Sequence, residues 1–270
     1  MCIRDRLTRE ESGAAVLTDD DGRVVARTWL EPVATPPRAE VLTAVDGAEP
    51  ALVAQVARAD LAGMRVSTTD AAVADALVAA GGRVVRHATT MSLTHATTTP
   101  AGSDDRVVTW GLAPAGATTP TAVAAASVAA YTPEHPDTVP GEDDLASAAA
   151  GIASIIAGDA VGDFVPGCSG VVLDGGAVVG AILITVLPPA PAHDWGGGTW
   201  IADVFVAASH AGLGLGRALL AHAVDRSAAG GHERMGLAVT EGNPARRLYD
   251  AAGFVPDRTS WSVLLPEAGA

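Results

Sequence analysis

From Ala207 to Val224 the chain reads AASHAGLGLGRALLAHAV, with glycine at 212, 214 and 216 and then an unbroken row of helix formers. Glycine costs roughly 0.5–1 kcal/mol wherever the backbone must be ordered, so three at alternate positions ahead of a helix need a reason. Either the chain turns sharply there or something must come close to its backbone. The preceding TWIADVFV (Thr199 to Val206) reads as a strand, which makes the feature a strand, a bare loop and a helix whose first amides are uncovered.

Those amides have no partner inside the helix and lie at the positive end of its dipole, so they can hold a phosphate if no side chain intrudes. A dinucleotide fingerprint does not fit: its third glycine would fall on Arg217 counted from Gly212, or on Leu219 counted from Gly214. A P-loop does not fit either, because no lysine follows at the required spacing. What remains is a short loop of small residues, with Leu219, Leu220, Ala223 and Val224 as the apolar face that seats the helix on a sheet.

Hydrophobic residues make up 49% of the 270, so a membrane reading has to be met first. The longest apolar runs, Leu145 to Gly158 and Gly175 to Pro188, stop short of the ~20 residues a spanning helix needs. The start, MCIRDRLTREES, is too charged for a signal peptide, and the expectation is a cytoplasmic chain without a membrane partner. Its first six residues match no element. A net charge of −14 speaks against nucleic acid held by a general basic field and is compatible with cationic small molecules or basic peptide termini. Cys2 and Cys168 read as free thiols, and scattered histidines without paired spacing imply no metal site. Gly167 to Gly170, GCSG, is one residue short of a serine-hydrolase elbow.

Thr97 to Ser103 (TTTPAGS) is linker-like and separates two textures, so the expected division is a segment 7–96, a linker 97–104 and a domain 105–267. In the first, a hairpin is expected around Asp21-Gly22, a helix over Ala71 to Ala80 and a strand over Val84 to Leu93. The second reads as strand Arg106 to Leu112, helix Pro120 to Tyr131, an acidic Pro-rich loop, helix Leu145 to Ala157 and a hairpin at Asp174-Gly175-Gly176. The strand before the glycine loop and the helix after it come next, then strand Met235 to Thr240, helix Pro244 to Ala252 and strand Thr259 to Leu265. Interleaved strands and helices with hairpins imply an α/β fold around a mixed sheet. The two halves also end alike: Leu77, Ala80, Gly82 and Val84 align with Leu248, Ala251, Gly253 and Val255, which points to a degenerate duplication.

The strand, SHAGLGLGRALL and helix resemble the coenzyme A-binding motif of the GNAT (Gcn5-related) N-acetyltransferases, [Q/R]xxGx[G/A]. Ala211 stands where that family prefers Arg or Gln, losing a charged donor worth roughly 1.5–3 kcal/mol if it would have reached phosphate. NPARRLYDAAGFVP (Asn243 to Pro256) resembles the family's C-terminal signature, one helix and one strand further on. The resemblance implies a GNAT fold with a mixed, largely antiparallel central sheet over about 106–265, joined to a smaller degenerate GNAT-like N-terminal segment.

It further implies acetyl-CoA as co-substrate, no metal, and a small-molecule or peptide amine as acceptor. Acetyl-CoA would be held by Phe205, Val206, Ala211, Gly212, Leu213, Gly214, Leu215, Gly216, Arg217, Asn243 and Arg246, Arg247 being the other arginine on that turn. Asn243 before Pro244 is also simply a good helix start. Tyr249 would be the general acid that protonates the departing thiolate, although it shares a face with Ala245, Leu248 and Ala252 as a core tyrosine would. Asp203 is the acid on the strand before the loop; to act as base near neutral pH its pKa must rise from ~3.9 by about three units. A water chain ending at Glu134 is the rival. Backbone N–H groups near Val206 would face the charge that develops on the thioester oxygen. Two other functions fit the same motifs, a non-catalytic acyl-CoA-binding regulatory module and a mycothiol-synthase-like tandem acetyltransferase. The loop Tyr131 to Asp144 would border the acceptor site, and its acids imply a cationic amine.

Overall fold

The structure is a computed structural model that describes residues 8–11, 14–31, 37–95, 104–132, 135–138, 144–190 and 195–268. It divides into two compact units, Met1–Thr89 with Arg258–Ala270, and Thr90–Asp257. The linker expected over 97–104 lies, Asp104 apart, outside the described residues.

In the first unit β1 (Thr8–Arg9), β2 (Ala15–Thr18), β3 (Val24–Glu31) and β4 (Arg38–Ala44) are antiparallel neighbours. The hairpin expected at Asp21-Gly22 is present, with Gly22 at φ 78° and the Asp19 carboxylate accepting from the Asp21 and Arg23 amides. Helix α1 (Pro50–Asp60) leads to β5 (Arg65–Thr68), which lies parallel to β4, and α2 (Ala71–Ala79) leads into β6 (Arg83–Thr94). Asp70 caps α2 by accepting from the Ala72 and Val73 amides. The last strand of the chain, β13 (Val255–Leu264), pairs antiparallel with β5 from Trp261 to Leu264. Leu17, Leu42, Val53, Leu61, Leu77 and Val263 form the core between the helices and the strands.

The second unit contains β7 (Val107–Thr109), α3 (Pro120–Ala130), α4 (Leu145–Ala157), β8 (Asp163–Phe164), β9 (Gly170–Asp174) and β10 (Ala177–Leu187). It continues through β11 (Gly198–Val206), α5 (Leu215–Ala229), β12 (Arg234–Thr240) and α6 (Arg246–Ala251). Its sheet runs β12-β11-β10-β9-β7, with β8 on β10. Only the β11–β12 pair is parallel, so the sheet is mixed and largely antiparallel. One face packs under α5 around Ile182, Ile184, Ile201, Leu219 and Leu237; the other packs under α3 and α4 around Val123, Ile152, Leu183 and Phe205. The strand expected over 106–112 is confined to β7, after which Trp110–Leu112 forms a 3-10 turn. The helix expected from Pro244 begins at Arg246, because the Ala245 amide turns back to the Asn243 side chain and the first turn is tighter than α.

Candidate active site

The site is prepared by two departures from a regular sheet. The parallel pairing of β11 with β12 is confined to Thr199 with Met235 and Trp200 with Gly236, although β11 runs on to Val206 and β12 to Thr240. Beyond Trp200 the strands diverge and leave a cleft with unpaired edges. Ala207 donates to the Val179 carbonyl, so by the alternation of an antiparallel ladder the Val206 N–H points the other way, toward the β12 edge.

The second departure is a bulge. Leu183 pairs with Asp203 but Ile184 pairs with Ile201, which leaves Ala202 as the extra residue. A bulge reverses which face each later side chain takes: Ile201 lies in the core under α5, and beyond the bulge it is Val204 and Val206 that pack against that core. Asp203 is thereby placed with Phe205 on the α3 side. The Phe205 side chain is buried in the core, which leaves its backbone as the part open to a cofactor.

On that side Asp203 meets the end of α3. Tyr131, the residue after α3, donates its hydroxyl to Asp203 Oδ1 at 2.5 Å. Burial pushes the Asp203 carboxyl up to about 6; the Tyr131 and Val204 hydrogen bonds pull against that and the Asp137 charge adds to it. Burial and the neighbouring carboxylates, Asp203 foremost, hold the Tyr131 hydroxyl well above its ordinary value. Tyr249, on α6, is buried, and burial followed by the charges of Asp203 and Asp137 raises its hydroxyl too. Asn243 donates Nδ2–H to Asp137 Oδ2 at 2.7 Å, and its Oδ1 accepts from the Ala245 amide at 2.8 Å.

Both tyrosines of the chain thus stand beside Asp203. Tyr131 and Asp137 are the members sequence reasoning missed as chemistry. The loop they occupy was legible as a border of the site, but a contact from the end of α3 to β11 leaves no mark in local spacing. Glu134, the alternative source of a base, lies outside the described residues.

The glycine loop lies at the other end of the cleft. Gly212 and Gly214 take φ of 79° and 77°, the left-handed region that glycine alone enters freely. Gly214 is the N-cap of α5, and no side chain caps the helix. A Cβ at Gly212 would meet nothing within 4 Å. Uncovered amides in open space on a dipole's positive end are a fit cradle for a pyrophosphate. Leu215 turns into the core while Ala211, Leu213 and Arg217 are exposed. Arg106 donates from Nη1 to the Leu213 carbonyl at 2.9 Å while paired with Asp104, so a guanidinium stands at the loop where Ala211 offers none. Arg246 lies 4.0 Å from Asp250, and Arg247 is exposed. Among the described residues there is no group of His, Cys, Asp and Glu arranged to hold a metal.

Residues 141–254 match the model of the acetyltransferase (GNAT) family, and the chain has the GNAT fold. A GCN5-related N-acetyltransferase from Sphaerobacter thermophilus superposes with a TM-score of 0.61 at 17% identity, over 96% of this chain and 82% of that one. A GNAT-family acetyltransferase from Colwellia psychrerythraea gives 0.56 at 11%, over 93% and 85%. A tandem GNAT protein from the clavulanic acid biosynthesis pathway gives 0.50 at 17%, over 94% and 83%. A comparison with curated proteins gives no match. Acyl transfer is the chemistry of this family, and its members generally use acetyl-CoA.

Proposed function

We propose that the domain is an acetyl-CoA-dependent N-acetyltransferase in which acetyl-CoA and a primary amine bind together and the amine attacks the thioester directly. The observation that carries this is the pairing of a carboxyl poised at about 6 with a buried phenol, beside the unpaired edges of β11 and β12. Acetyl-CoA supplies the acyl group and a thiolate leaving group. The α5 amides with Gly212, Gly214 and Gly216 receive its pyrophosphate, and the Val206 N–H faces the oxygen that gains charge.

Asp203 takes the proton from the acceptor ammonium, and Tyr249 gives its proton to the departing sulfur. The two roles separate because a carboxyl near 6 is ionised at neutral pH, while a phenol raised by burial keeps its proton. Asn243 has both ends of its amide engaged, so it meets the cofactor arm only by exchanging Asp137 for it.

Release of free thiol from acetyl-CoA in the presence of a panel of amines tests the reading. Thiol release that depends on the amine supports it; tight acetyl-CoA binding without release makes the domain a regulatory binding module. The acids of the site, Asp203 and Asp137, favour a cationic acceptor. A dicationic amine is expected to outperform a neutral one, by a margin that shrinks with added salt. Equal turnover of the two, insensitive to salt, would remove this preference.

A further inference from the structure

We propose that Tyr131 is a positioning residue for the acyl transfer read above: its phenol holds the Asp203 carboxylate in place to accept the proton of the acceptor amine. The inference rests on that reading of Asp203 as base, and its geometry is independent of it.

Without the bulge at Ala202, Asp203 would turn into the apolar core under α5. With it, the carboxyl emerges where α3 ends, and the Tyr131 hydroxyl meets Oδ1 at 2.5 Å, a distance that suits a hydrogen bond to an ionised acceptor. Tyr131 is itself fixed. Its backbone N–H donates to the Ser127 carbonyl at 3.0 Å, its ring packs against Phe205 at 6.1 Å, and His135 meets it edge-on at 4.9 Å. A phenol so held orders the carboxyl without competing for its proton, because burial and the neighbouring carboxylates keep Tyr131 protonated.

The groups that face Asp203 can be named element by element. Tyr131 comes from the end of α3, with His135 beyond it; Asp137 comes from the following loop and Tyr249 from α6; across the sheet its partner on β10 is the apolar Leu183. Of these, Tyr131 and the Val204 amide favour the ionised form, while burial and Asp137 oppose it. Removing the hydroxyl must therefore raise the pH at which Asp203 ionises. A residue that merely filled space would change stability or turnover and leave that pH where it was.

The experiment compares wild type with Tyr131→Phe in two readouts. The first follows the side-chain carboxyl carbon of Asp203 by NMR across pH 4 to 9 without substrate, the resonance being assigned by its loss in Asp203→Asn. The second is the pH dependence of kcat/KM for acetyl transfer. The expected result is an upward shift of about one pH unit in the Asp203 midpoint and an equal shift in the acidic limb of kcat/KM, with turnover above pH 8 retained within several-fold. An unmoved midpoint overturns the proposal. A moved midpoint with an unmoved limb also overturns it, because the held carboxyl would not be the base. If no amine is acetylated by wild type, the acyl-transfer reading fails, and with it the positioning role given to Tyr131. The NMR shift would then report only the hydrogen bond. Should Tyr131→Phe be poorly folded, Asp137→Asn supplies the opposite sign: removal of a repelling charge is expected to lower both midpoint and limb, and a limb that ignores the midpoint counts against the proposal in the same way.

Discussion

Burial disfavours Asp203 in the ionised form a base needs but favours Tyr249 in the protonated form an acid needs, and this makes their roles separable by mutation. Tyr249→Phe keeps the buried ring and removes only the hydroxyl. Turnover is expected to fall roughly ten-fold or more while acetyl-CoA affinity, read by titration calorimetry, stays within about two-fold. An unchanged rate would return Tyr249 to a packing role. For Asp203 the folded-state midpoint of about 6 lies above the ordinary carboxyl value of 3.8, so folding favours the protonated acid. Its contribution to stability is full below about pH 4, is lost as pH rises through 6, and leaves the ionised form at a cost of at most about 3 kcal/mol, less because the side chain is partly exposed. Asp203→Asn is therefore expected to raise the melting temperature at pH 7.5 and to flatten its pH dependence between 4 and 6, while acetyl transfer falls roughly 100-fold. A variant less stable than wild type at pH 7.5 would show that Asp203 is structural. Asp203 and Tyr249 were legible as candidates because each sits within a motif. The pair Tyr131 and Asp203 was not, since it depends on a bulge that shifts parity by one residue, and AILITVL facing TWIADVFV carries no mark of where the extra residue lies.

At the scale of elements, the glycine loop separates what the fold requires from what a ligand requires. Gly214 takes φ 77° at the N-cap of α5, where a β-branched residue is strained whatever the space. Gly214→Val is expected to abolish acetyl-CoA binding while far-UV circular dichroism remains that of a folded α/β protein; retained binding would reduce the loop to a turn. Gly216 is different. It lies inside the first turn of α5, and a Cβ there would meet only the Leu248 side chain, at 3.5 Å, an ordinary contact. No local requirement calls for glycine, and the coenzyme A motif itself accepts Ala at this position, so Gly216→Ala is expected to raise thermal stability by up to about 1 kcal/mol and to leave acetyl-CoA binding within about two-fold. A loss of binding would show that the ligand needs a bare backbone at Gly216 as well as at Gly214. Elements with a cap or a turn signal were readable: Thr119 ahead of Pro120, Asp144 ahead of Leu145 and the Asp174 to Gly176 hairpin all lie where the sequence puts them. The sequence reading sets no helix over α1, although Pro50 opens it, Gly47 and Gly63 flank it and Val53, Ala54, Ala57 and Leu61 recur at helical spacing.

Across the whole molecule the order of elements occurs twice. In the first unit β3, β4, α1, β5 and α2 repeat the sequence of β10, β11, α5, β12 and α6 in the second. In each, an antiparallel pair with a register shift is followed by a parallel pair registered at two positions only, Arg38 with Arg65 and Ala39 with Val66 in the first, Thr199 with Met235 and Trp200 with Gly236 in the second. This supports the duplication inferred from the matching ends, and it shows where the first copy differs. The gap beyond its registered pairs is closed: Thr68 Oγ1 donates to the Leu42 carbonyl at 2.8 Å, the Val41 amide donates to Ser67 Oγ at 3.0 Å, and Ser67 in turn bonds Glu40. A cofactor arm entering between β4 and β5 would have to break this bridge. At the helix mouths the first copy offers no phosphate cradle either. Helix α1 follows Glu49 and has Pro50 in its first turn, which brings a negative charge and removes a donor, and the leading amides of α2 are already taken by the Asp70 carboxylate. Val78, at the position matching Tyr249, has no proton to give, and Ala72, matching Asn243, has no side-chain amide. One acetyl-CoA per chain is therefore the expected stoichiometry, and it should be unaltered by Asp70→Ala, which frees the α2 amides but leaves the Ser67 and Thr68 bridge intact. Titration calorimetry with a non-hydrolysable acetyl-CoA analogue decides the point: a second equivalent bound by the wild-type chain would mean that the first copy still opens between β4 and β5.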